Sequence, residues 1–299
     1  MKSVRPWILP LPYVTEPFPD ELLSSWLRRI GVEYGISLEQ LVRHIGLSRT
    51  KPLQIDHDLS PDEIGRLADA MREERAEIRR RLHHPLRPPV RSLRATRAPI
   101  QTCATCRTRH TGSRAGPVVL RGWFEFWRIE CQVCQGAMSS LGNPVLDRCN
   151  PAREHPDWFA GIMPAARRGA ARLQAFARRP FNTTVSPVAV LCLLSKPLRP
   201  EGPDDGLCRY ETSRVADLFV PGLSELTREE GILVPDAWTA AKPVRLVPAR
   251  IILLAGLSHF LIDPAASFRR VREAVGFRIG SFLERWMDAL PPHARSCLQ

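Results

Sequence analysis

The sequence predicts a mainly α-helical protein with a small zinc-ribbon β module at its centre. A helix-turn-helix-like bundle comes first, a zinc finger second, and a C-terminal helical domain last. Three observations carry this expectation. Apolar residues recur at helical spacing near both ends of the chain. Two Cys-x-x-Cys pairs stand between them. A proline- and arginine-rich stretch separates the first helices from the first pair. The expected boundaries are 1–84 for the bundle, 85–98 for a basic linker, 99–150 for the zinc module and 151–299 for the last domain.

After Pro17 and Pro19, Asp20 reads as the cap of a helix with apolar positions Leu22, Leu23, Trp26, Leu27 and Ile30. That spacing makes one face apolar and leaves Arg28, Arg29 and Glu33 outside it. Trp26 is in phase with its apolar neighbours and reads as core. Gly35 ends this helix. Ser37 with Gln40 forms a capping box for a second helix bearing Leu38, Leu41, Val42 and Ile45, closed by Gly46. Ser60-Pro61-Asp62-Glu63 opens a third, with an N-cap serine, proline at the first helical position and a glutamate to reach back. Its apolar residues are Ile64, Leu67, Ala68 and Met71, and it is expected to run on to Arg81. Three short helices joined by tight glycine turns are compatible with a helix-turn-helix unit that reads DNA.

Pro85, Pro88, Pro89 and Pro99 forbid a continuing helix. From Ile78 to Phe124 there is no acidic residue, while Arg79, Arg80, Arg81, Arg87, Arg91, Arg94, Arg97, Arg107, Arg109, Arg114 and Arg121 all fall inside. A solvated charge run usually carries balancing acids, so these arginines are the candidate phosphate contacts.

Cys103-Ala104-Thr105-Cys106 and Cys131-Gln132-Val133-Cys134 are separated by 24 residues. Two residues between thiols let a turn aim both sulfurs at one ion, and two such turns complete a tetrahedral four-cysteine zinc site. Val118–Leu120 and Trp123–Ile129 read as short strands, with Gly116-Pro117 a turn, which would bring the second pair back beside the first. Four thiolates leave no open coordination position, so the ion would hold structure and activate no water. His110 is an alternative ligand. Cys149, Cys192, Cys208 and Cys297 have no partner at ligand spacing.

Beyond Cys149 helices return. Pro164–Arg179 is rich in alanine and arginine, Thr227-Arg228-Glu229-Glu230 reads as a capping box, and Asp263-Pro264 opens a helix through Phe268, Val271 and Val275. Ile279–Leu290 reads as a last amphipathic helix. Pro180–Pro221 reads as irregular, with Gly202–Gly206 an exposed loop.

The chain of 299 residues has room for two or three domains, and its formal charge of +12 favours a polyanionic partner, nucleic acid or an anionic membrane surface. Only Lys2, Lys51, Lys196 and Lys242 are lysines among 43 basic residues, a bias that genome base composition also produces. Met1–Pro12 is broken by Pro6, Pro10 and Pro12 and lacks the apolar core of a signal peptide. The apolar run Ile251–Ile262 is about half the length of a spanning helix and reads as a buried core helix. A cytoplasmic, reducing setting follows as the expectation, and there eight cysteines point to metal or free thiols.

Two stretches together resemble the TniQ family of transposition proteins. The first is Pro17-Phe18-Pro19-Asp20-Glu21-Leu22-Leu23-Ser24-Ser25-Trp26-Leu27-Arg28-Arg29, a proline-led helix. The second is the pair of cysteine knuckles flanking an aromatic segment with Trp123, Phe126, Trp127 and Arg128. Cys134 stands where the family often has histidine. Leu146-Asp147-Arg148-Cys149 keeps only one cysteine of a further knuckle. The resemblance covers roughly the first half of the chain. It implies a bacterial, nucleoid-associated accessory protein that selects transposition targets and is not an enzyme. Such a protein links DNA or a DNA-bound targeting complex to an AAA+ ATPase regulator and thence to the transposase, with a homodimer also admitted and no membrane partner. The competing expectations are a zinc-ribbon transcription regulator unrelated to transposition and, behind it, a nuclease or transposase. Asp147, Glu125 and Glu130 lie near the basic module, but nothing in their spacing marks a metal-binding triad. No phosphate-cradling glycine loop is present, so the chain is not itself the ATPase.

Overall fold

The computed structural model describes residues 9–86, 90–111, 118–141, 154–179, 185–196, 198, 214–230 and 243–274. The described residues are mainly helical and fall into two compact units. The first comprises residues 1–85, 95–125 and 130–141, and the second residues 86–94, 126–129 and 142–299.

The first unit opens with α1 (Leu23–Glu33), α2 (Leu38–His44), α3 (Pro52–His57), α4 (Pro61–Met71) and α5 (Arg75–Arg80). Trp26, Leu27, Leu41, Val42, Ile55, Leu67 and Ile78 meet in one apolar core, so the helical faces expected from spacing are those that bury. Both capping boxes form. Ser37 Oγ accepts from the Gln40 N–H while Gln40 Oε1 accepts from the Ser37 N–H. Ser60 and Glu63 make the same exchange. Burial alone would raise the Glu63 pKa, but hydrogen bonds from Ser60 and Ser48 outweigh it and hold that carboxyl at about 2.

The expected long third helix is two helices. Arg72 adopts the left-handed conformation at φ 55°, which stops α4 before Arg75 starts α5. The short helix α3, capped by no side chain, has no counterpart among the elements expected from spacing.

In the cysteine-bearing part, β1 (Gln101–Cys103) runs straight into α6 (Ala104–Thr111). β1 pairs antiparallel with β2 (Met138–Ser140), Cys103 opposite Met138. The strand expected across Trp123–Ile129 does not form. Arg121–Phe124 is a 3-10 turn, whose buried Trp123 and Phe124 serve the core rather than a ladder. Gly116-Pro117 lies outside the described residues.

The second unit is built on α7 (Pro156–Arg178), α8 (Pro187–Leu194), α9 (Leu223–Glu230), α10 (Val247–Phe260) and α11 (Pro264–Ala274). As its composition required, α10 is buried along almost its whole length. It packs along α7 and against α8. Even Arg250 is fully buried on α10; its Nη1 donates to the Phe126 carbonyl at 3.0 Å, and burial lowers its pKa to about 9. Asp263 caps α11 by accepting from the Ala266 N–H at 2.9 Å, as the Asp-Pro signal implied. Two expectations fail here. α8 occupies part of the segment read as irregular, its apolar residues lost among the flanking prolines. Thr227 lies within α9 rather than at its start, since Leu223 already begins the helix. Gly202–Gly206, Val275 and Ile279–Leu290 lie outside the described residues. Among the described residues no single helix is long and apolar enough to cross a membrane.

The α7–α10 contact depends on one missing side chain. A Cβ on Gly169 would sit 1.9 Å from the Leu254 carbonyl oxygen and 2.7 Å from its carbon. Backbone cannot yield as a flexible side chain does, so the two helices would have to part. Gly169→Ala is expected to cost about 3 kcal/mol, at the upper end for overpacking. Thermal melting followed by circular dichroism measures it, and a gain in stability, as for an ordinary exposed helical glycine, contradicts this packing.

Candidate metal centre

Cys103 ends β1 and Cys106 lies in the first turn of α6, so the strand-to-helix junction delivers the first two sulfurs. The second two come from a tight turn. Gln135 takes the left-handed conformation at φ 59°, its N–H donates to the Cys131 carbonyl, and the Cys131 N–H donates to the Gly136 carbonyl at 2.8 Å. The antiparallel bridge between Glu130 and Ala137 continues toward β2, and pairing of β2 with β1 brings the two cysteine pairs together.

All four sulfurs lie within 4.8 Å of one another. Cys103 and Cys134 are 3.3 Å apart, Cys106 and Cys131 3.5 Å, and Cys106 and Cys134 3.6 Å. A tetrahedral zinc with bonds near 2.3 Å spaces its sulfurs by roughly 3.8 Å. The donor set fits such an ion in other ways. A Cβ at Gly136 would lie 3.3 Å from the Cys134 sulfur and 3.6 Å from that of Cys103, so glycine keeps room around the sulfurs. The Gly136 N–H donates to the Cys134 sulfur and holds its pKa down to about 7. Burial, and then the neighbouring thiols, push Cys106 upward, and burial is also the largest cause raising Cys103. Four sulfurs crowded in this way ionise together only around a cation. The cluster can therefore hold a metal ion.

His110 is not part of this cluster. Its buried ring packs against Phe18 with centroids 4.1 Å apart, and burial lowers its pKa. Cys192 is a half-buried thiol on α8, raised by burial to about 11. Cys149, Cys208 and Cys297 lie outside the described residues.

The proline-led segment is tied directly to this module. The Leu22 N–H donates to the Val119 carbonyl at 3.0 Å, and Glu21 bridges Leu120 antiparallel. Asp20 does not cap α1. It holds φ 60°, and its carboxylate accepts from Arg121 Nη2 at 2.7 Å and from the Gly122 N–H at 3.0 Å. Arg29, expected outside the apolar face, is buried. Its Nε and Nη2 both donate to Glu21 at 2.9 Å, its guanidinium lies over the Phe18 ring, and Ser25 Oγ donates to the same carboxylate. Ser25 Oγ in turn accepts from the Val119 N–H at 2.9 Å. Ser25 and Arg29, four residues apart on one stripe of α1, thus converge on Glu21 just ahead of the helix. Trp26 is fully buried and its indole N–H donates to the Thr15 carbonyl at 2.6 Å, so it offers no face to a protein partner.

The basic run divides. Arg81 pairs with Glu77 and donates to the Phe18 carbonyl, Arg121 pairs with Asp20, and Arg94 is buried, so these three serve the fold rather than a phosphate surface. Their balancing acids, Asp20 and Glu77, lie outside the run itself, which is why sequence order hid them. Arg80 is exposed while paired with Glu77. Arg79, Arg97, Arg107 and Arg109 in the first unit and Arg91 in the second are exposed. Arg87 and Arg114 lie outside the described residues. The outward side of α4 carries Asp62 and Asp69, an unsuitable face for DNA.

With this geometry in hand, comparison with family models matches residues 12–135 to TniQ. The match takes in the stapled helix and both cysteine pairs. This stretch is a TniQ domain. The chain is accordingly transposition-associated, and its TniQ domain includes the metal-competent cluster. No curated protein and no solved structure matches the chain.

Proposed function

We propose that the protein is a non-catalytic adaptor that selects target sites for DNA transposition. In this reading it contacts DNA or a DNA-bound targeting complex through its basic surface and recruits an AAA+ ATPase regulator, which engages the transposase. It acts in the cytoplasm, on the nucleoid. The TniQ match spanning the stapled helix and the whole cysteine cluster is the observation that carries the proposal.

Chemistry supports the details. Soft thiolate donors select zinc over magnesium or calcium. Zinc held by Cys103, Cys106, Cys131 and Cys134 supplies a closed structural cross-link with no site for a reacting water. What it fixes is the base of α6, from which Arg107 and Arg109 project into solvent. Together with Arg79 and Arg97 these are exposed cations that the basic run contributes to the first unit.

The test is capture of the full chain by the AAA+ ATPase of the transposon carrying its gene, with and without duplex DNA. Capture strengthened by DNA is the expected result. Sequence-specific DNA binding with no ATPase capture would favour a transcription regulator instead. On the DNA side, Arg107→Ala with Arg109→Ala should lower the dependence of log affinity on log salt by roughly 0.9 for each phosphate no longer neutralised.

A further inference from the structure

The four sulfurs of the cluster are not equally enclosed. Cys103, Cys106 and Cys131 are buried, with at most 3% of their surface exposed, whereas Cys134 is only half-buried. The turn that carries Cys134 accounts for the difference. Gln132 and Gln135 are exposed on either side of it, and the left-handed Gln135 turns the chain back toward β2. The Cys134 sulfur stands 3.3 Å from that of Cys103 and 3.6 Å from that of Cys106. Gly136 lies against the Cys103–Cys134 pair, where a Cβ would be 3.3 Å from one sulfur and 3.6 Å from the other. No side chain from that position screens the pair. Oxidant-sensitive cysteines combine access to solvent with a second sulfur in reach. Cys134 has both. Cys192, the other half-buried cysteine among the described residues, lies outside the cluster.

We infer that Cys134 is an oxidation site, through which hydrogen peroxide opens the sulfur clasp at the base of α6. The Cys134 thiolate attacks one peroxide oxygen. An S–O bond forms, the O–O bond breaks and hydroxide leaves, which makes Cys134 a sulfenic acid. The Cys103 thiolate then attacks the Cys134 sulfur. An S–S bond forms, the S–O bond breaks and a second hydroxide leaves. Two protons from solvent convert both hydroxides to water, so two thiolates lose two electrons and one peroxide gains them. Cys103 is the partner because it is nearer than Cys106, and closing 3.3 Å to a bond of about 2.0 Å needs little movement. The disulfide withdraws two of the four thiolates that hold a metal, so the ion is released. Reduction restores both thiolates and recloses the clasp. Coordination hinders bulky alkylating reagents at all four sulfurs, whereas peroxide is little larger than water and needs only the opening at Cys134. The inference rests on the reading of the cluster as a zinc site, but on no contact with DNA.

The experiment treats the zinc-loaded full chain with hydrogen peroxide and follows released zinc with a zinc-responsive dye. Differential alkylation and peptide mass spectrometry then locate the oxidised sulfurs. Zinc release in step with a Cys103–Cys134 disulfide is expected, and dithiothreitol with added zinc should reverse both. Cys134→His supplies an imidazole, a competent zinc ligand without an oxidisable sulfur. This variant should keep its metal and release it at least about tenfold more slowly than the wild-type chain under the same peroxide. The wild-type disulfide map is read whether or not the variant folds. A first disulfide between Cys106 and Cys131 overturns the inference, as does zinc release from the histidine variant at the wild-type rate. Oxidation of Cys192 as fast as that of Cys134 also overturns it, since a partly open thiol would then need no neighbouring sulfur. A chain that takes up no zinc before peroxide is added overturns the metal reading itself. Zinc that is held and stays bound through the treatment overturns this inference alone.

Discussion

Cys106→Ser is expected to abolish metal retention and to unfold the β1–α6–β2 module. Cys106 is the most enclosed ligand, with sulfurs at 3.5 and 3.6 Å and no measurable exposure. Serine offers a hard, weakly acidic oxygen in its place, a poor match for an ion held by soft thiolates. Two strands of three residues each cannot hold two turns together by themselves. Structural zinc contributes on the order of 10 kcal/mol to small modules of this kind, so losing it exceeds what the rest of the segment supplies. Metal analysis after gel filtration, paired with a chelator titration followed by tryptophan fluorescence of Trp123, measures both halves. Retention of one ion by a folded variant would contradict the assignment of ligands.

The second large effect is expected at Glu21. Glu21→Ala leaves the Arg29 guanidinium buried without its counter-charge and strips acceptors from Ser25 Oγ and the Phe18 N–H. Removing one partner of a buried ion pair costs about 3–5 kcal/mol, chiefly through the charge left behind. The loss should spread to the metal module, because Ser25 Oγ also receives the Val119 N–H. Urea denaturation of wild-type and variant gives the difference. A change below about 1 kcal/mol, typical of exposed pairs, would show that this staple does not hold the domain.

The elements legible in the sequence are those with local causes. Capping boxes at Ser37 and Ser60 depend on residues three apart, and they form as spacing implies. The buried run along α10 and the convergence of four cysteines are equally readable, since composition and ligand spacing carry them. What stays hidden depends on long-range partners. Asp20 reads as a cap from its neighbours but is spent on Arg121, 101 residues away. Arg29 looks exposed on a helical wheel until Glu21 is seen to neutralise it. The same blindness makes the arginine run look uniform, although Arg81 and Arg121 are already paired. The strand expected across Trp123–Ile129 fails for a related reason. β-propensity is shared by residues that serve a core, and Trp123 and Phe124 bury there from a 3-10 turn. The cysteine bridgehead at the end of β1 has no local signal beyond its spacing, because the strand that pairs with it and places it, β2, comes much later in the chain.

The most direct test of this account is the metal content of the purified full-length chain, read beside thiol alkylation under native conditions. Zinc at one ion per chain, with Cys103, Cys106, Cys131 and Cys134 protected from alkylation until a chelator is added, is the predicted result. A folded chain that carries no metal and alkylates those four sulfurs freely would contradict it.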